Sequence, residues 1–189
     1  MGYVCHSGGC PGADMTWETA GEEYGVVTRA YSFSGHKQYG KNPVVLSHEE
    51  LHEGLAHALD VNTQFKRNLM SSPRYTKCLI SRNWYQVKNA EVIFAVGKFY
   101  DNTLTRVDGG TGWAVQMAVN NGKPIYFYDQ PTESWYEYDH HNGKFVTFTG
   151  TPALRTKHFA GIGTRELTDA GMQAILDVYK KTFQNQDAD

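Results

Sequence analysis

Asp14 and Glu18 stand one helical turn apart, directly after the turn "SGGCPG", and that spacing puts both carboxylates on one helix face. Two carboxyl groups on one face could serve as an acid–base pair. Each also has a plainer reading, Asp14 as a complement to the helix dipole and Glu18 as a solvated side chain. Arg82 and Asn83, in "RNWYQV" with Gln86, offer a guanidinium that can pair with an anion and an amide that can both donate and accept. A surface arginine and a capping amide are the alternatives. Cys10 reads either as a thiolate activated near a helix N-terminus or as a small turn residue, and no histidine is adjacent to it. "HEELH", 48–52, matches the His-Glu-x-x-His zinc pattern, but Ser47 with Glu50 makes a capping box that accounts for the acidic residues. Gly54 and His57 each fall one residue short of the extended motif, so no metal site is expected. His140 and His141 precede Asn142-Gly143 and read as exposed turn residues.

Backbone supplies the strongest pattern. Three glycine turns each follow an apolar run and precede a helical stretch: "SGGCPGAD" (7–14), "DGGTG" (108–112) and "GIGTRE" (161–166). Glycines let a ligand approach the backbone, and the N–H groups of a helix's first turn bind anions. In a parallel sheet such turns line up along the edge formed by the strand C-terminal ends, where ligands bind. The candidate ligand-binding set is therefore Ser7, Gly8, Gly9, Gly12 and Asp14, then Gly109, Gly110, Thr111 and Gly112, then Gly161, Gly163, Thr164 and Arg165, with Arg82 and Asn83. No turn is followed by Gly-Lys-Ser/Thr and none is Gly-x-Gly-x-x-Gly, which disfavours a P-loop and dehydrogenase chemistry. Trp113 could stack on a base, although an aromatic at a helix start is more often core.

The elements that must position these residues alternate. Strands are expected at 3–6, 26–32, 92–96, 124–129 and 158–161, and helices at 13–24, from Ser47, at 73–88, after the 108–112 turn to Asn120, and at 165–184. "VIFAV", 92–96, lacks polar alternation, as buried parallel strands do. "SWYEYDHHNGKFVTFTG" reads as an antiparallel hairpin, an insertion at about 132–150 at the sheet edge. The tail "QNQDAD" reads as frayed. The fold class is α/β, a Rossmann-like mostly parallel sheet flanked by helices, in one domain over 1–189.

Composition narrows the partners. The chain has 189 residues, 40% hydrophobic and 13% aromatic, enough to cover both faces of a sheet. A net charge of −2 without a Lys/Arg tract disfavours duplex nucleic acid and anionic membranes. No secretory leader or membrane-spanning run is legible, and "MGYVCH" has His6 where a myristoylation start needs Ser or Thr. Three cysteines outside Cys-x-x-Cys spacing fit free thiols in a reducing compartment, so the expectation is a cytoplasmic protein.

"SGGCPGADMTWE", "RNWYQVKNAEVIFAVG", "DGGTGWAVQMAVNNGKPI" and "AGIGTRE" resemble segments of the SLOG superfamily, Rossmann-like proteins related to the cytokinin-activating LOG enzymes and the DprA recombination mediators. The similarity is greatest to small members found in bacteria and phages. It omits roughly 34–65 and 130–156. In those proteins the "AGIGSRET"-like strand and helix come first and the "SGGAxGAD"-like turn second; here the order is reversed. The resemblance thus implies a circular permutation, with the strand at 158–161 beside that at 3–6, both parallel and central, and the helix ending near Phe183 close to Tyr3.

LOG enzymes cleave the N-glycosidic bond of nucleoside monophosphates with a Gly-Gly-x-Gly-Thr-x-x-Glu signature. Aligned on it, Gly109, Gly110 and Gly112 match, but Trp113 replaces the Thr and Gln116 the catalytic Glu. A neutral amide cannot act as a base or carry the charge that stabilises an oxocarbenium ion. The resemblance therefore implies a binder that senses or sequesters a nucleotide-derived molecule, such as an adenine nucleotide or an ADP-ribose or cyclic ADP-ribose signal, with negligible base release. The alternative is a nucleoside 5'-monophosphate N-glycosidase using Asp14 and Glu18. A DprA-like DNA-processing partner is third, and the chain has no basic groove for it. No cofactor is expected, and a homo-oligomer is left open.

Overall fold

The computed structural model describes residues 2–184, so the tail expectation falls outside the described residues except at Gln184. In chain order the elements are β1 (Val4–Ser7), α1 (Ala13–Glu22), β2 (Val27–Ser32), β3 (Pro43–Val45), α2 (His48–Gln64), α3 (Arg74–Lys88), β4 (Val92–Gly97), α4 (Gly109–Asn120), β5 (Ile125–Asp129), β6 (Ser134–Asp139), β7 (Lys144–Phe148), β8 (His158–Gly163) and α5 (Asp169–Gln184). They build one eight-stranded sheet in the order β3-β2-β1-β8-β4-β5-β6-β7. From β3 to β5 every neighbouring pair is parallel; β6 and β7 add antiparallel to one edge. This is a Rossmann-like α/β architecture with a mostly parallel, mixed sheet.

β8 lies between β1 and β4, with Val4 opposite His158 and Val92 opposite Phe159. The strand at 158–161 is thus central and parallel to the strand at 3–6. The ring of Phe183 at the end of α5 meets Tyr3 edge-on, centroids 5.1 Å apart.

Alternation along the strands sorts side chains to two faces. On β4, Phe94 and Val96 join Cys5, Trp17, Phe159, Ile175 and Tyr179 beneath α1 and α5. Ile93 and Ala95 face the other way, with Phe127, Ile162, Trp84 and Met117, beneath α3 and α4. β4 is buried at every position because helices cover both faces. α2 packs outside on α3, and its N-terminus carries the expected capping box: Glu50 N–H donates to Ser47 Oγ, and Ser47 N–H to Glu50 Oε2.

Three local features differ from expectation. β3, three residues long, pairs with β2 and gave no periodic signal. α5 begins at Asp169 rather than 165, because residues 164–168 turn across the sheet edge and Thr168 Oγ1 accepts from Gly171 N–H at its start. The hairpin loop spans His140–Gly143, wider than an Asn-Gly two-residue turn, and the Asp139 carboxylate gathers it by accepting from the His141 and Asn142 N–H groups. Among the described residues no helix is long and apolar enough to cross a membrane.

Candidate functional site

The C-terminal ends of β1, β8 and β4 open into one cavity of about 410 Å³, within the range of small-molecule sites. Cys10 and Asp14 reach it from the first glycine turn, Gly109, Gly110 and Thr111 from the second, and Gly163, Thr164 and Arg165 from the third. Arg82, Asn83 and Gln86 of α3 form its other wall, and Lys98, Asp108, Gln130 and Glu166 its rim.

The turns contribute unequally. The second presents open backbone: Gly112 N–H is the first amide of α4 to bond back, to the Asp108 carbonyl at 3.2 Å, so the amides before it have no partner within the helix. A Cβ built on Gly110 meets no atom within 4 Å. At α1, by contrast, Ala13 N–H already donates to the Thr164 carbonyl at 3.0 Å. Gly12 has φ +89°, and a Cβ there would lie 2.5 Å from the same oxygen. The first turn is closed by the third.

Several candidate residues therefore hold the turns together without lining the cavity. Ser7 Oγ donates to the Gly161 carbonyl at 2.6 Å. Gly161 has Cys5 Sγ and Trp17 Cγ where its Cβ would be, both 2.7 Å away. Gly8 lies under the Arg82 guanidinium, Gly9 against Gln38, and Gly112 against the Val107 carbonyl. Their missing side chains are a packing requirement.

Asp14 and Glu18 diverge despite sharing a helix. Glu18 is buried, away from the cavity; its Oε1 accepts the Lys41 N–H at 2.7 Å and its Oε2 has no partner. It anchors the loop before β3. Asp14 faces the cavity and accepts the Cys10 N–H at 3.2 Å. Gln116 is outside the cavity wall, donating to Asn120 at 3.1 Å, and Trp113 packs edge-on to Phe65 with centroids 5.6 Å apart. Asn83 Nδ2 reaches the Gly110 carbonyl at 3.4 Å and so ties α3 to α4.

Two arginines converge on one sulfur at the cavity wall. Arg82 is only 5% exposed, its Nε lacks a partner, and its Nη2 donates to Cys10 Sγ at 3.2 Å. With the Gln86 amide oriented to satisfy its neighbours, Oε1 accepts from Arg82 Nη1 at 2.5 Å and from Gly8 N–H at 3.2 Å. Arg165 Nη2 points at the same sulfur from 3.7 Å. Ion pairs within the described residues are Lys41–Glu22, Lys88–Glu53 and Lys98–Asp108, and neither arginine belongs to one. The field reaches the neighbouring loop: burial first, then Arg82 and Arg165, push His36 down to about 4.

Burial pushes the Asp14 carboxyl up to about 6, while Arg82 and the N–H groups of Cys10, Gly163 and Gly8 restrain the rise. The folded state thus holds this proton more tightly than the unfolded chain. Asp14 subtracts stability progressively as pH rises from its unfolded value of 3.8 through 6, in all about 3 kcal/mol. His6 and His36 act oppositely. Both are held near 4, His6 by burial and then by His158 and Arg29, so their contribution is complete above 6.5 and is lost as pH falls. Two histidines outweigh one aspartate, so stability is expected to rise between pH 4 and 6.5. Asp14→Asn removes the opposing slope and should steepen that rise in urea titrations. An unchanged slope would mean that Asp14 titrates as an ordinary carboxylate.

Among the described residues no three His, Cys, Asp or Glu side chains are grouped to hold a metal ion. Sequence reasoning missed Lys98 and Gln130. Each directly follows the last residue of a parallel strand, Gly97 or Asp129, which is the signal that could have found them. No family model, curated protein or solved structure matches the chain.

Proposed function

We propose that the protein binds a nucleotide-derived phosphate ligand in this cavity, as a sensor or sequestering protein, and that it is a circularly permuted relative of the SLOG proteins. An adenine nucleotide or a molecule of the ADP-ribose type is the ligand class. The observation that carries the reading is the meeting of unbonded α4 amides with two arginines outside any ion pair, at the C-terminal ends of central parallel strands. Phosphate oxygens would receive N–H groups of the Gly109–Thr111 backbone and the guanidinium of Arg82 or Arg165. The position of β8 beside β1, and of Phe183 on Tyr3, supports the permutation, since a join between those ends would span little distance.

A second reading is favoured by Asp14. A cavity carboxyl held near 6 is suited to protonate a leaving base, as an N-glycosidase requires. Calorimetry with AMP, ADP-ribose and cyclic ADP-ribose, followed by chromatography of the recovered ligand, separates the two. The binder returns intact ligand, and inorganic phosphate competes with it. Free base that disappears in Asp14→Asn establishes the glycosidase instead. Absence of binding heat for every phosphate compound, with no competition in an equilibrium-dialysis control, would overturn both.

A further inference from the structure

We propose that Cys10 is a peroxide-oxidisable thiol whose sulfenic acid occupies the place that the ligand's anionic group would take. Two guanidinium groups converge on Cys10 Sγ, Arg82 Nη2 at 3.2 Å and Arg165 Nη2 at 3.7 Å. They come from opposite walls, one from α3 and one from the turn after β8. Arg82 is an independent sign that an anion belongs there, being 5% exposed, lacking a partner for Nε and standing outside any ion pair. The Asp14 carboxyl lies close enough to feel the Arg82 charge but makes no ion pair with it, so the guanidinium keeps capacity for a further anion. Cys10 is only 6% exposed yet lines the cavity, so hydrogen peroxide, little larger than water, can reach its sulfur through that opening.

The step balances. Sulfur attacks one peroxide oxygen, the S–O bond forms as the O–O bond breaks, and the thiol proton leaves with the second oxygen as water. Sulfur is oxidised by two electrons and the peroxide is reduced by two. The new oxygen can ionise and accept from the arginine N–H groups, which then no longer face the cavity's ligand. Added thiol reverses the change by forming a mixed disulfide with loss of water and then exchanging it.

The other two cysteines are internal controls. Cys5 is fully buried between β2 and β8, and burial, followed by the Asp14 charge, pushes its thiol well above its ordinary range. Cys78 is partly exposed and lines a separate groove with Phe33 and Tyr75. Neither has an arginine on its sulfur among the described hydrogen bonds.

The inference rests on the phosphate reading only for its competition arm. The full chain is treated with hydrogen peroxide in the presence of dimedone, and labelled peptides are quantified by mass spectrometry over time. Cys10 should label first. Removing one charge-assisted hydrogen bond in Arg82→Gln should slow it about tenfold. Arg165 is solvent-exposed, so Arg165→Gln gives a second variant that leaves the core alone, and it should slow labelling in the same direction. Saturating AMP should protect Cys10, and prior oxidation should block AMP. Labelling of Cys78 ahead of Cys10, or labelling of Cys10 indifferent to both arginine variants, overturns the proposal. Fast, arginine-dependent labelling that no nucleotide or phosphate affects upholds the thiol and removes the phosphate reading.

Discussion

Trp17→Ala is expected to lower the unfolding free energy by about 3–5 kcal/mol, the usual cost of emptying a buried aromatic site. Trp17 has no exposed surface. Its ring meets Tyr179, Phe94 and Phe159 edge-on, with centroids 5.6, 5.9 and 6.2 Å away. Its indole N–H donates to the Ile162 carbonyl at 3.3 Å, and the Tyr179 hydroxyl donates to the Trp17 carbonyl at 2.7 Å. One side chain thus joins α1 to β4, β8 and α5. Truncation removes the apolar contact and the indole hydrogen bond, and leaves a cavity that a close-packed layer cannot collapse into. Trp17→Phe, which keeps most of the ring, should lose much less. Both are checked by urea unfolding followed by circular dichroism. A loss below about 1 kcal/mol for the alanine variant would show that the last strand and helix are not packed on α1.

Gly110→Val is expected to weaken nucleotide binding by about a hundredfold, near 2.7 kcal/mol, while leaving stability almost unchanged. The space beside Gly110 is open in the free protein, so the valine side chain meets nothing until a ligand arrives. It then occupies the volume through which phosphate approaches the α4 amides. Gly112→Ala is the contrasting control. There a Cβ would collide with the Val107 carbonyl, so the defect should appear in stability rather than in affinity alone. Calorimetry and unfolding on both variants separate the two roles that glycine plays in one turn. Unchanged affinity in a folded Gly110→Val protein would remove the α4 amides from the binding site.

How far these residues could be found from sequence depended on whether the signal was local. The β4 run is apolar at every position and the Ser47–Glu50 box is complete within four residues, so both elements were legible. The three glycine turns were also legible, because glycine followed by a helical stretch is a local pattern. What each glycine does was not. Gly110 and Gly112 are two residues apart in sequence, yet one faces open space and the other a carbonyl from the preceding loop. The divergence of Asp14 and Glu18 was hidden for the same reason. Helical spacing gives a shared face, but the loop before β3, which takes Glu18 away, carries no periodicity. Cys10 gave no sign of its two arginines, which lie 72 and 155 residues along the chain. β3 escaped notice because three residues cannot display a period.

The place of β8 in the sheet also has a consequence in time. The strand that fills the middle is the last to be made, and its contacts with the first strand span 154 residues, as between Ser7 and Gly161. Until it is synthesised, β1 and β4 each present an unpaired backbone edge towards the gap between them. A chain growing from its N-terminus can form the β1–β2–β3 and β4–β5–β6–β7 halves from local contacts, but can join them only after residue 163. Closure across so much chain is slow, and the halves awaiting it are the species in which exposed edges invite aggregation. Expression yield should therefore respond to whatever shelters those two edges during synthesis, chaperones and lowered temperature first among them.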